Sequence, residues 1–344
     1  MVVEKYEPNQ RVKEYFHILS ARFPKWLNDY INTTPLLKQQ YISMTCGTIY
    51  TDLFDNNFFY SSLDHSVAVA LIIWHFTHDK KQTLSGLFHD IATPAFKHCV
   101  DFLNGDYIKQ ESTEDLTTDI IEHSKEIMAL LQRDGIKLSE VDNYHLYPIA
   151  DNDTPKLSAD RLEYSLSNAL FSYNLLNIDD IKEIYTNLSV QQNSEQEIEL
   201  GFKSKKAALK FVKTTSAMSV IYRDDRTRYS MQFIADILKR LNLEGKITKS
   251  DLYEMKEAEI INLIKESKYN SIFEFWRNAK EIKTSSAAPE GVYSVHLDTK
   301  VRYIDPLLGG QRISSVNDDA KSFIQHNLSY NMGNFCYLDF DFPA

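Results

Sequence analysis

The sequence predicts a mainly α protein with a smaller C-terminal α+β region. Three observations carry that expectation. Gly and Pro number only 10 and 9 among 344 residues, so long stretches run without the residues that interrupt helices. Apolar residues in those stretches recur near the helical period, as in the stripe of Leu116, Ile120, Ile121, Ile127, Leu130 and Leu131. Beyond "TSSAAPEG" (284–291) the spacing changes to the twofold alternation of strands. Hydrophobic types make up 43% of the chain, enough for a sizeable core, and the length suits two domains or one large domain with an appendage. The expected division is a helical core over 1–190 and a helical lobe with a small β element over 191–344.

Taken in order, "LKQQYISMTCGTIYTDLF" (37–54) has helical spacing, and so does "LDHSVAVALIIWHF" (63–76). A polar break, "THDKKQ", separates the latter from "TLSGLFHD" (83–90), and Pro94 should stop that helix. Ser112 and Asp115 read as a capping box opening a helix over "TEDLTTDIIEHSKEIMALLQ", with Asp134-Gly135 as its stop. "SADRLEYSLSNALFSYNLL" (158–176) and "KSKKAALKFVKTTSAMSVIY" (203–222) are further helices. "NLSVQQNSEQEIELG" (187–201) reads as an inner loop or lobe boundary, and "YRDDRTRY" (222–229) as a solvated turn. "VYSVHLDTKVRYID" (292–305) reads as a strand that "GGQRISSV" can pair with, and "NFCYLDFDF" also alternates.

Composition narrows the class. The formal charge is 38 − 48 = −10, a poor match to nucleic acid, which rewards clustered Lys and Arg. Cys46, Cys99 and Cys336 are far apart and odd in number, so they suggest neither a disulfide framework nor a metal knuckle. The start of the chain has no apolar signal-peptide core, and its longest apolar run, "VAVALIIW", is too short for a bilayer. A cytoplasmic protein without a membrane partner is expected.

The chemistry concentrates at His65, His89, Asp90 and Asp160. Two antiparallel helices joined by a short break bring the start of one beside the end of the other. The arms from the break to His65 and to His89 are of similar length at about 1.5 Å rise per residue. Asp160, on a third helix, can complete the set. Two imidazoles and two carboxylates suit one divalent transition metal: Mn, Fe, Co, Ni or Zn. Such an ion lowers the pKa of water and polarises a phosphoryl oxygen.

The segments "SLDHSVAVA", "LSGLFHDIATPAFKH" and "SADRLEYSLSNA" resemble the HD-domain phosphohydrolase superfamily, in particular its deoxynucleoside triphosphate triphosphohydrolase and SAM-and-HD-domain branch. The resemblance covers about residues 58–170 and continues through "RTRYSMQFIADILKRL" and "VRYIDPLL". It implies an HD-domain helical bundle, a metal bound by His65, His89, Asp90 and Asp160, and a homo-oligomer. The implied reaction is hydrolysis of a nucleotide or related phosphate ester through a metal-activated water. By the same resemblance Asp90, Glu114 and His98 belong to the catalytic machinery. Arg161 and Tyr164 fall where the family contacts substrate phosphates; Lys97, flexible and close by, is a further candidate for substrate. Three positions depart from the family: Ser62 replaces an arginine, and Thr93 and Thr113 replace histidines. These departures define the alternative, a degenerate member that binds a nucleotide or a partner without turnover.

Overall fold

A computed structural model describes residues 5–56, 58–110 and 116–343 of the protein. It is mainly helical, with two small sheets assembled from residues after 187. The Ser62–Thr77 helix runs through its centre, and its residues from Ser62 to Ile73 are buried. A capping box between Ser61 and Asp64 opens it, and His78 in left-handed backbone (φ 52°) closes it. Asp79 accepts from the Lys81 and Gln82 amides and so starts the Lys80–Phe88 helix. The two helices pack against each other, with Ala159–Ser167 alongside the first. Gly86 permits the close approach: a Cβ there would stand 2.2 Å from Ile73 Cδ1.

Two apolar cores result, and no single point in the sequence divides them. One joins these helices to Gln10–Leu19, Ile178–Thr186 and Lys205–Ile221, with Ile304, Ile313, Ala320 and Ile324 added from far along the chain. The other gathers Asp225–Leu243, Lys249–Glu254, Glu257–Lys265 and Asn270–Asn278 around Leu53, Phe54, Ala95, Phe96 and Cys99. The segment after His89 and Asp90 therefore crosses from one core to the other.

Several expectations are corrected. Residues 37–54 form no continuous helix; only the 3-10 turns Gln39–Tyr41 and Thr48–Tyr50 follow Thr34–Lys38. Polar side chains in this stretch bond locally, as in the Ser43–Thr45 hydroxyl pair and Thr48 to the Thr45 carbonyl, and such bonds compete with a helical ladder. Residues 187–201 are not a loop but a hairpin, Leu188–Gln192 antiparallel to Ile198–Phe202. The "YRDDRTRY" run is not solvated: Arg223 and Arg228 are buried, bonded to Asn327 and to Asp225 with the Leu297 carbonyl. The predicted strand over 292–305 shrinks to Ser294–Val295, and "GGQRISSV" does not pair with it; Gln311–Arg312 instead pairs with Leu307–Leu308, which lies parallel to the hairpin. Phe335–Tyr337 in the alternating tail does form a strand, between Lys283–Ser285 and Ser294–Val295.

Asp134-Gly135 does close a helix, with Gly135 at φ 66°, although that helix begins anew at Lys125 after a break at Ser124. The Ser112–Asp115 capping box lies outside the described residues, and so does Glu114. No described helix is long and apolar enough to cross a membrane.

Candidate metal centre

His65 lies in the first turn of its helix, and His89 and Asp90 just beyond the Lys80–Phe88 helix. Asp160 lies in the first turn of Ala159–Ser167, which Ser158 caps through the Arg161 amide. Pro94 does not end the helix before it, since the helical residues stop at Phe88. The antiparallel pair delivers the expected meeting: His65 Nε2 is 3.1 Å from His89 Nε2 and 3.2 Å from Asp160 Oδ1, and His89 Nε2 is 3.6 Å from the same oxygen.

The far side of each imidazole fixes its tautomer. His89 Nδ1 is 2.7 Å from the Gly86 carbonyl, which can only accept, so Nδ1 donates. His65 Nδ1 meets the wholly buried Glu163 carboxylate in a short bond. Glu163 in turn accepts from the Tyr60 hydroxyl at 2.7 Å, Tyr15 at 3.3 Å and Ser167 at 3.2 Å. Both Nε2 atoms therefore face one another and the Asp160 carboxylate, an arrangement that a proton or a metal ion between them satisfies. Metal–donor bonds of about 2.0–2.2 Å at angles between tetrahedral and square separate neighbouring donors by about 2.8–3.6 Å, the range these three side chains span. Among the described residues His65, His89 and Asp160 form the group whose donor atoms all lie within 4.8 Å of one another. The donor set fits a divalent transition metal.

The electrostatics agree. Burial works against a charged His65, but Glu163 and Asp160 outweigh it and lift the imidazole to about 10. His89 is raised too, against burial, by Asp90 and Asp160. Burial pushes the Asp160 carboxyl upward, yet the two histidines hold it well below the usual carboxylate range. The pocket thus stabilises positive charge at its centre, whether that charge is a proton or a metal.

Asp90 stands at the edge of this group. Its oxygens are 3.8 Å from His65 Nε2 and 3.9 Å from His89 Nε2, and its Oδ2 is 2.6 Å from Lys97 Nζ. Lys97, expected to reach substrate, lines the cavity and is largely buried, with its ammonium paired to Asp90. Ser62 lies beside it, its Oγ 3.4 Å from Nζ.

The cluster opens into a cavity of about 590 Å³, a size suited to a small organic ligand. Arg161 and Tyr164 line it as expected, with Arg161 Nη1 2.6 Å from Asn152 Oδ1. His98 lines it as well, Nδ1 2.8 Å from the buried Asp101 carboxylate; burial, against the pull of Asp101, lowers its pKa. Sequence reasoning missed Glu163 and two more cations that line the cavity, Lys300 and Arg302. Glu163 was discoverable, since it follows Asp160 by one helical turn and so shares its face. Nothing local marks Lys300 and Arg302; their place depends on the Ser219 hydroxyl and the Asn327 amide, both of which donate to the Arg302 carbonyl. His145 also lines the cavity, its Nδ1 2.9 Å from Asp151.

No family model matches the chain. It is 23% identical over 254 residues to an uncharacterized protein of Bacillus subtilis (strain 168), YdhJ, covering 71% of this chain and 72% of that one. Among solved structures it resembles a hypothetical protein from Aquifex aeolicus, with a TM-score of 0.59, 16% identity, and coverage of 92% of this chain and 93% of the other. It also resembles a phosphohydrolase from Bacteroides thetaiotaomicron, with a TM-score of 0.54, 12% identity, and coverage of 94% of each. At these identities the likeness establishes a shared fold, and function has to be argued from the site.

Proposed function

We propose that the protein is a metal-dependent phosphohydrolase of a nucleotide or related small phosphate ester. The observation that carries this reading is the His65, His89 and Asp160 cluster opening into a cavity walled by cations. These three side chains would hold the ion, with the Asp90 carboxylate beside them. When bound, the metal supplies a lowered pKa for water and polarisation of the phosphoryl oxygen.

The chain's own groups do the rest. Glu163 and the Gly86 carbonyl fix both imidazoles with Nε2 inward, so no reorientation is needed when the ion arrives. Arg161 and Arg302, which both line the cavity, offset phosphate charge, and guanidinium geometry suits that task. His98 keeps Nδ1 on Asp101, which leaves Nε2 to exchange a proton with the leaving oxygen. Tyr164, Tyr173 and Tyr222 offer aromatic surface for the organic part of the substrate.

The test is a screen of the purified protein, stripped of metal and reloaded with Mn, Fe, Co, Ni or Zn, against nucleoside mono-, di- and triphosphates. Metal-dependent release of phosphate or polyphosphate is expected. Bound metal without turnover of any compound refutes the enzyme reading. A nucleotide that raises the melting temperature and is recovered intact identifies instead a binding protein, the reading to which Ser62 and Thr93 give weight, since both line the neighbourhood of the cluster with short side chains.

A further inference from the structure

We propose that Arg223 is a positioning residue for the anionic group of the ligand: with Ser219 and Asn327 it fixes the main chain at Arg302, and so holds the Arg302 guanidinium in the cavity lining. The inference rests on the phosphohydrolase reading above and names the part of the chain that sustains it.

The first support is the company Arg223 keeps. The residue is only 1% exposed. Its partners are carbonyls: Nε bonds the Ser219 main-chain oxygen at 3.0 Å, and Nη2 bonds the main-chain and side-chain oxygens of Asn327 at 2.6 and 2.5 Å. Nη1 has no hydrogen-bond partner among the described residues. Burial lowers the pKa of this guanidinium, and the Arg302 charge nearby works in the same direction. A cation buried beside a second cation is costly, and an apolar side chain of similar volume often stabilises a fold more. Packing alone therefore does not account for an arginine here. The place of the carbonyls makes its burial tolerable. Ser219 is in the last turn of Lys205–Ile221 and Asn327 in the last turn of Asp318–Leu328, two helices that pack together. Carbonyls at helix C-termini are unpaired within their helix and carry partial negative charge.

The second support is what this junction holds. Ser219 Oγ donates to the Arg302 carbonyl at 2.5 Å, and Asn327 Nδ2 donates to it at 2.9 Å. Asn327 makes that bond only with its amide nitrogen turned toward Arg302, and Arg223 secures the orientation by bonding the amide oxygen. Arg302 needs such ties. It lies in irregular chain between Ser294–Val295 and Leu307–Leu308, with no strand ladder of its own. Its guanidinium bonds the neutral Gln110 side-chain oxygen at 2.5 Å, which leaves the positive charge for an anion in the cavity. The charge run at 222–229 thus acts on the cavity through Arg302 rather than with its own charges.

The experiment measures binding of inorganic phosphate to the Co²⁺-loaded protein by calorimetry, with Co²⁺ affinity as the control. Arg302→Met is expected to weaken phosphate binding about 10- to 100-fold, and Arg223→Gln about tenfold, both at wild-type Co²⁺ affinity. The double variant binds phosphate no more weakly than Arg302→Met alone, because Arg223 acts through Arg302. A side chain that merely stabilises the fold would leave the phosphate affinity of the folded variant unchanged. The proposal is overturned if Arg223→Gln keeps wild-type phosphate affinity, if Co²⁺ affinity falls along with it, or if the two losses add in the double variant. Should Arg223→Gln not fold, Arg223→Lys takes its place: it keeps the charge but cannot bond Ser219 and Asn327 together. The two levels separate at Arg302. If Arg302→Met binds phosphate as wild type does, or the wild type binds none, the phosphohydrolase reading of the cavity fails and this proposal with it. Loss at Arg302 without loss at Arg223 overturns the proposal alone.

Discussion

Two buried glutamates do most to fix the candidate site at the scale of single residues. Glu163 lies behind the residues that line the cavity, yet it bonds His65 Nδ1 and gathers Tyr15, Tyr60 and Ser167 around one carboxylate. Glu163→Gln should weaken metal affinity by about 10- to 100-fold, measured by calorimetry with Co²⁺ or Mn²⁺. Unchanged affinity would show that His65 needs no anionic partner. Glu257 has the opposite electrostatic character. Burial outweighs its hydrogen bonds and raises its carboxyl from 4.5 to about 7. The folded state therefore binds a proton between those values that the unfolded chain has lost, so this group makes stability fall as pH rises from 4.5 to about 7. Glutamine mimics the protonated form: its oxygen can accept the Ser43 and Phe96 amides, and its nitrogen can donate to Tyr50. Glu257→Gln should match wild type near pH 4.5 and gain on it with rising pH, approaching on the order of 3 kcal/mol above pH 7. Denaturant melts across that range are the check, and a difference that does not change with pH counts against it.

The unit that matters among the elements is the antiparallel pair Ser62–Thr77 and Lys80–Phe88. Its geometry was legible because the polar break between the two helices is a local signal and the arms on either side of it are of similar length. Gly86 is where the pair is most exacting. Gly86→Ala would drive a methyl onto Ile73 Cδ1 and press Val69, at 3.2 Å. We expect a loss of about 1–3 kcal/mol in urea unfolding, together with weaker metal binding, because the Gly86 carbonyl holds His89. Full retention of both would mean that the pair has slack. Residues 37–54 show the limit of periodicity: their apolar spacing suits a helix, but hydroxyl-to-backbone bonds and Glu257, reaching in from 200 residues along the chain, hold them in short turns.

Considered as a whole molecule, the protein places its cluster where two cores meet. The first supplies His65, His89 and Asp160, and the second carries the segment with Lys97 and His98. Long-range polar ties hold the C-terminal residues in place. Arg312 bonds Glu199 through both guanidinium arms at 2.6 and 2.7 Å, and Glu199 accepts the Leu157 amide just before the Asp160 helix. Glu199 is fully buried, so Arg312→Ala would leave its carboxylate inside the fold without a cation, held only by the Leu157 amide and the Asn193 side chain. It should cost about 3–5 kcal/mol by chemical denaturation; a cost under about 1 kcal/mol would make the tie no stronger than a surface pair.

The sequence by itself determined the helical class, the helix pair and the identity of the side chains that converge on the cluster, because helical period, caps and breaks are written within a few residues of where they act. Tertiary structure alone decided the rest. It turned Lys97 onto Asp90, buried Arg223 and Arg228, replaced most of the 292–305 strand with irregular chain, and set Lys300 and Arg302 in the cavity lining. Each of those outcomes depends on partners far away in the chain. A charged side chain in isolation reads as solvated, and only the fold supplies the buried anion or carbonyl that makes its burial favourable.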